Sequence, residues 1–217
     1  MDKSRQQLIL LLESNDILSV ASLVKQNRKQ LSKLIRLAYD KETLAGWRAI
    51  KAIGIAARAI VDQEYSFLRE TIRKLLWSLS DESGGIGWSA PEIIGEIVCS
   101  DAERFQDIIP IISSIYDIEE EVFRPGILYA LSRIAEERSD LVVPHKNLAI
   151  RALSDKDPLV RYFGLEVISR IKNRITDQND DVVDMCIEKL LADTAEVWVY
   201  RENNFSRIQI SEAASGI

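Results

Sequence analysis

GIGWSAPEIIGEIV, residues 85–98, lies on LAGWRAIKAIGIAA, residues 44–57, at a shift of 41 that aligns Trp88 with Trp47, Ala90 with Ala49 and Gly95 with Gly54. Two further shifts of 37 bring in FRPGILYALSRI (123–134) and VRYFGLEVISRI (160–171), matching Arg124 with Arg161 and Ser132 with Ser169. Each copy places small or apolar residues at i, i+3, i+4 and i+7. The four sets are Ala49, Ala52, Ile53, Ala56; Ala90, Ile93, Ile94, Ile97; Ile127, Ala130, Leu131, Ile134; and Gly164, Val167, Ile168, Ile171. That spacing is one buried stripe on one helix. Ahead of each copy an apolar helix is expected to end near an acid, at Asp40, Asp81, Asp117 and Asp155. A carboxylate there favours the positive N-terminus of the helix that follows. In the second copy the joint is DESGGIGWSAPE. Gly84, Gly85 and Gly87 make the turn, Ser89 is the candidate N-cap and Pro91 falls in the first helical turn.

Four units of 36–47 residues, each an antiparallel helix pair, cannot bury their stripes alone and must stack on their neighbours. The segment LSDKDPLVRYFGLEVISRI (153–171), with its Asp-x-Asp-Pro-x-Val-Arg turn from Asp155 to Arg161, resembles a HEAT repeat. The resemblance covers residues 30–192, and the DESGGIGW run is similar to that of small prokaryotic HEAT-repeat proteins. It implies an all-α fold, an α-α superhelix or HEAT-like solenoid, and brings no known activity with it.

The expected layout is a single solenoid domain over 1–193, followed by a C-terminal β-hairpin and tail over 194–217. Residues 1–39 form an N-terminal cap whose helical spacing is broken at Ser14-Asn15-Asp16, which stops one helix and caps the next; the four units occupy about 40–175, and 179–193 is a closing helix. VWVY (197–200) and FSRIQI (205–210), separated by the polar RENN, read as two strands of a hairpin, and SEAASGI as a frayed tail. A lone hairpin is marginal in water, so it must pack on the last helices or pair with a second copy, a route to a homo-oligomer.

With 47% hydrophobic and 29% charged residues among 217, the chain can bury a core. Its apolar runs, such as LILLL at 8–12, fall far short of the roughly 20 residues of a membrane span, and MDKSRQQ lacks the order of a signal peptide. A cytoplasmic protein with no membrane partner is expected. Cys99 and Cys186 lie within apolar helical patterns and read as buried reduced thiols. His145 is the only histidine, which removes a His-based metal site. Net charge is −6 but unevenly spread: residues 1–75 carry 14 Lys+Arg against 8 Asp+Glu (+6), and 76–217 carry 14 against 26 (−12). Either these are solvated helix faces, or the two ends meet partners of opposite charge.

HEAT-like folds include a metal hydroxylase with His-Glu iron ligands at the start of second helices, and here Trp47-Arg48 and Trp88-Ser89 stand at those positions. Neither pair holds iron, so no metal, cofactor or catalytic residue is assigned. By resemblance to other HEAT arrays, Trp47, Trp88, Pro125 and Tyr162 would instead lie along the inner, concave surface and grip a partner, unless each packs between units. Arg124 and Arg161 add charged selectivity or brace the turns, as such arginines do in the family. Glu92 and Glu96, four apart, share a helix face, as solvated charges or paired carboxylates. The glycine turn lacks the Gly-Lys-Ser/Thr ending of a P-loop. The candidate binding residues are therefore Trp47, Asp81, Glu82, Ser83, Gly84, Gly85, Gly87, Trp88, Glu92, Arg124, Arg161 and Tyr162. The favoured function is a non-enzymatic scaffold for a protein or peptide partner. One alternative is a HEAT-like DNA glycosylase using Trp47, Trp88 and Asp81, which the acidic net charge disfavours along with nucleic-acid binding in general. Another is a tetrapyrrole carrier like the HEAT-like bilin lyases.

Overall fold

The computed structural model describes residues 3–79, 88–118, 121–174 and 179–217, the side chains of 179 and 180 excepted. The chain is predominantly α-helical with one two-stranded antiparallel sheet near its C-terminus. It divides into two compact units, Met1–Phe105 with Glu202–Asn204, and Gln106–Arg201 with Phe205–Ile217.

The first unit contains α1 (Lys3–Glu13), α2 (Ile17–Gln26), α3 (Lys29–Ala38), α4 (Leu44–Leu79) and α5 (Ala90–Val98). The break read at Ser14-Asn15-Asp16 is present and has a simple cause. Asn15 takes a positive φ of 58°, which stops α1, and the Asp16 carboxylate accepts from the Ser19 N–H at 3.1 Å, which starts α2. α4 is two helices in one. Non-helical torsions at Glu64 (φ −123°, ψ 27°) divide a first limb, 44–63, from a second, 65–79, with no loop between them. The first limb carries the stripe Ala49, Ala52, Ile53, Ala56 and the second carries Leu68, Ile72, Leu75 and Leu79, all buried. α5 packs against α4, and all nine of its residues are buried.

The second unit contains α6 (Ile108–Ile118), α7 (Arg124–Val142), α8 (Lys146–Ala152), α9 (Pro158–Ile171), α10 (Asn179–Leu190), β1 (Glu196–Arg201), β2 (Asn204–Gln209) and α11 (Ile210–Ser215). α7 breaks at Arg138 (φ −144°, ψ 78°) much as α4 does at Glu64. Its stripe of Ile127, Ala130, Leu131 and Ile134 is buried, as is that of α9, and α7 and α9 pack together. At the start of α9 the Asp155 carboxylate accepts from the Asp157 N–H at 3.0 Å, and Asp157 accepts from Leu159 N–H at 2.8 Å, so Asp157 is the cap. Asp117 does something else: both its oxygens accept from Arg151, at 3.0 and 2.9 Å.

The hairpin forms where the sequence places it. Glu202 (φ 52°) and Asn203 (φ 65°) are both left-handed, the requirement of a two-residue type I′ turn. Val197, Val199 and Ile208 are buried, and β1 packs on α9, so the sheet covers its apolar face with its own chain. The frayed tail expected at 211–217 is instead α11, which packs on α9 and α10 through buried Ile210 and Ala214. Six residues with one large apolar side chain, Ile210, carry too little pattern to reveal a helix held by packing. Cys99 is buried and Cys186 is half-buried, both as free thiols.

His145 ends the 3₁₀ turn ahead of α8, and burial holds its imidazole below the ordinary 6.5. The unfolded chain therefore binds this proton more readily, and stability falls as pH drops from about 7 through the ordinary histidine value toward the lowered one. Urea midpoints measured at pH 7.5 and 6.0 are expected to differ less in His145→Gln than in the parent; equal differences would refute the assignment.

Candidate functional site

Of the four aligned positions, which fall at or near the starts of α4, α5, α7 and α9, only that of Trp88 carries an exposed side chain. Trp47 is 8% exposed and Tyr162 4%, while Pro125 is buried, so these three serve packing and not a binding surface. Tyr162 packs edge-on against Phe163 with ring centroids 5.1 Å apart, and Phe163 does the same to Tyr129 at 5.7 Å. Burial, followed by the charge of Glu166, pushes the Tyr162 phenol above its usual range. The row of aromatic grips along one surface is thus corrected to a single exposed indole.

Trp88 is 48% exposed and stands two residues ahead of α5, a helix with no exposed residue. Its carbonyl accepts from Lys41 Nζ at 2.8 Å, and the same ammonium donates to Glu92 Oε1 at 2.7 Å. One turn further along α5, Glu96 Oε1 accepts from Lys51 Nζ at 2.8 Å. Glu92 and Glu96 are only 2% and 3% exposed, so they are not solvated charges. Each is a buried carboxylate whose cation arrives from 51 or 45 residues earlier in the chain. Sequence reasoning passed over Lys41 altogether. A signal was present, since two acids on a helix otherwise made of Ala, Pro, Ile, Gly and Val must be paired.

Gly54, aligned with Gly95 by the repeat, is where the first limb of α4 meets Glu96. A Cβ at Gly54 would lie 3.2 Å from Glu96 Cβ, 3.3 Å from its carbonyl oxygen, and nearer still to Oε2. The glycine is required by the close approach, not by a turn.

Ser89 and Glu92 have the spacing of a capping box, in which the serine hydroxyl bonds the third helical N–H and the glutamate returns to the serine N–H. The box is open. Ser89 makes no side-chain cap bond, Lys41 holds Glu92 Oε1, and both Ser89 Oγ and Glu92 Oε2 are buried without a hydrogen-bond partner. Two orphaned polar atoms beside an exposed indole mark a place where a water or a partner group completes the bonding.

Asp81, Glu82, Ser83, Gly84, Gly85 and Gly87 lie outside the described residues. Arg161 and Arg124 are described and are committed to their own unit. Arg161 donates to Asp193 Oδ2 through Nε at 2.8 Å, and to the carbonyls of Asp155 and Lys156 at 2.8 and 3.1 Å. Arg124 lies 5.1 Å above the Tyr116 ring, with Nη1 3.3 Å from both Glu121 Oε1 and Asp155 Oδ2. Arg151 covers the same ring at 5.5 Å. Burial and the Asp155 charge push the Tyr116 phenol up to about 12. Both arginines brace turns. Arg48, the neighbour of Trp47, likewise donates to the Leu12 and Glu13 carbonyls at the end of α1, at 3.0 and 2.8 Å.

No family model, curated protein or solved structure matches this chain. Among the described residues, no cluster of His, Cys, Asp and Glu could hold a metal ion, and no helix is long and apolar enough to cross a membrane.

Proposed function

We propose that the chain is a HEAT-like scaffold, not a catalyst, that presents the surface around Trp88 to a protein or peptide partner. The observation that carries this reading is an exposed indole fixed to the start of a fully buried helix. A large aromatic group on a rigid base loses little freedom on binding and is the usual anchor of an interface. Support for the repeat reading comes from the four stripes, all buried, and from Arg161, which ties the Asp155 turn to Asp193 as a turn-bracing arginine would. The rival reading, a nucleic-acid enzyme, needs Trp47 as a stacking surface, and its burial takes that surface away.

Trp88→Ala is expected to leave the helical circular dichroism unchanged and to lower stability by no more than about 1 kcal/mol, since the side chain is half exposed. In paired pull-downs from native lysate it should lose the partners that the parent retains. A stability loss of about 3–5 kcal/mol, the range for a buried tryptophan, or identical captured proteins from two folded baits, would remove Trp88 as the anchor.

A further inference from the structure

A groove of about 620 Å³ runs between α3 and the second limb of α4, away from the Trp88 site, with Ile35, Tyr39, Phe67 and Leu75 among its walls. Its hydroxyl-bearing residues on α4 are turned inward: Thr71 Oγ1 donates to the Phe67 carbonyl at 2.8 Å and Ser78 Oγ to the Leu75 carbonyl at 2.7 Å. The lining they leave is apolar. From Phe67 to Ser78 the groove follows eleven residue steps, about 16 Å of helix. It takes one row of side chains.

The lips are cationic. The groove is lined by Arg36 from α3 and, from the second limb of α4, by Lys74 and one acid, Glu70, with Arg73 next to Lys74 in the chain. That acid is already neutralised, bonded by Arg73 through Nε and Nη2 at 2.8 and 2.7 Å and approached by Lys74 at 3.5 Å. The Arg73 bonds hold its carboxyl down at about 2. Arg36, on the opposite lip, makes no ion pair among the described residues. Trp77, 73% exposed, lies three residues after Lys74 and seven after Glu70, on the same side of the helix.

We infer that this groove is a docking site for an acidic amphipathic helix of a partner protein, whose apolar row enters between α3 and α4 while its carboxylates face Arg36 on one lip and Lys74 on the other. The inference gives chemistry to a partner of the scaffold proposed above but uses a different surface. Three features select this occupant: an apolar floor with helical spacing, a net positive charge from Arg36 on one side and from Arg73 and Lys74 sharing the single carboxylate of Glu70 on the other, and an exposed indole one turn beyond Lys74.

The test is fluorescence anisotropy with two labelled 15-residue helical peptides. Both carry leucine at i, i+4, i+7 and i+11, flanked in one by glutamates and in the other by lysines. The acidic peptide should bind the full chain at least tenfold tighter than the basic one, and weaken as salt rises from 50 to 500 mM. Arg36→Glu should weaken it at least tenfold. Ser32→Trp, which fills the groove from an exposed position on α3, should abolish binding, and Trp88→Ala should leave it unchanged. Equal binding of the two peptides, binding by neither, or survival in Ser32→Trp overturns the proposal. Capture by phosphatidylglycerol vesicles that Ser32→Trp abolishes would overturn it in favour of a lipid surface. Peptide failure with intact Trp88-dependent capture sinks only the groove; loss of that capture alone sinks only the Trp88 site.

Discussion

Gly46→Ala should destabilise the first unit by about 3 kcal/mol, the upper part of the range for forcing an atom into a packed site. Helix propensity alone argues the opposite, since alanine is favoured over glycine in a helix by about 1 kcal/mol. Sterics decide. The Asp40 carbonyl folds back over the start of α4, accepting from the Thr43 hydroxyl at 2.9 Å, while Thr43 Oγ1 in turn accepts from the Gly46 N–H at 3.1 Å. A Cβ on Gly46 would sit 2.6 Å from the Asp40 carbonyl carbon and 3.2 Å from the Lys41 nitrogen. These are backbone atoms that cannot swing aside, and moving them displaces Lys41, which serves Glu92. Urea denaturation of the parent and Gly46→Ala checks the sign, and a variant as stable as the parent would show that the joint adapts.

The second large effect is expected at Lys51. Lys51→Met leaves the Glu96 carboxylate buried without its bonded ammonium, and removing one partner of a buried ion pair costs about 3–5 kcal/mol. The lower end applies here, because the Lys51 side chain is itself 30% exposed and water can reach the vacated place. Glu96→Gln in the Lys51→Met background should recover part of the loss, since a neutral amide of the same shape tolerates burial better than a carboxylate that has lost its ammonium. A double-mutant cycle on thermal or urea unfolding measures this coupling. A loss below about 0.5 kcal/mol for Lys51→Met would place the pair among surface ion pairs.

The stripes were legible because they depend on spacing alone. Ala49 to Ala56, Ala90 to Ile97, Ile127 to Ile134 and Gly164 to Ile171 are buried as their period demands. The hairpin was legible for the same reason, with period two replacing period three and a half. Glu92 and Glu96 were not, because a carboxylate's environment depends on cations that the fold delivers from elsewhere. Trp47 and Trp88 occupy equivalent places in the repeat yet differ in exposure, which no local pattern records. The groove lies on a helix with two stripes, one for the core and one open. Leu68, Ile72 and Leu79 hide the neighbouring run of Phe67, Thr71 and Ser78 from a reading that looks for one apolar face.

The turn at Glu64 sets a rule for insertions and deletions. Helix runs into it and out of it, so no slack exists to absorb a change of length. One residue added there would rotate limb 65–79 by about 100° about its axis, carrying Leu68, Ile72 and Leu79 off the core and Trp77 away from the groove's edge. Three or four residues would bring the faces back near their places but advance them by about 5 Å. Descent from a common sequence should therefore vary this stretch by substitution, and change its length only by whole helical turns.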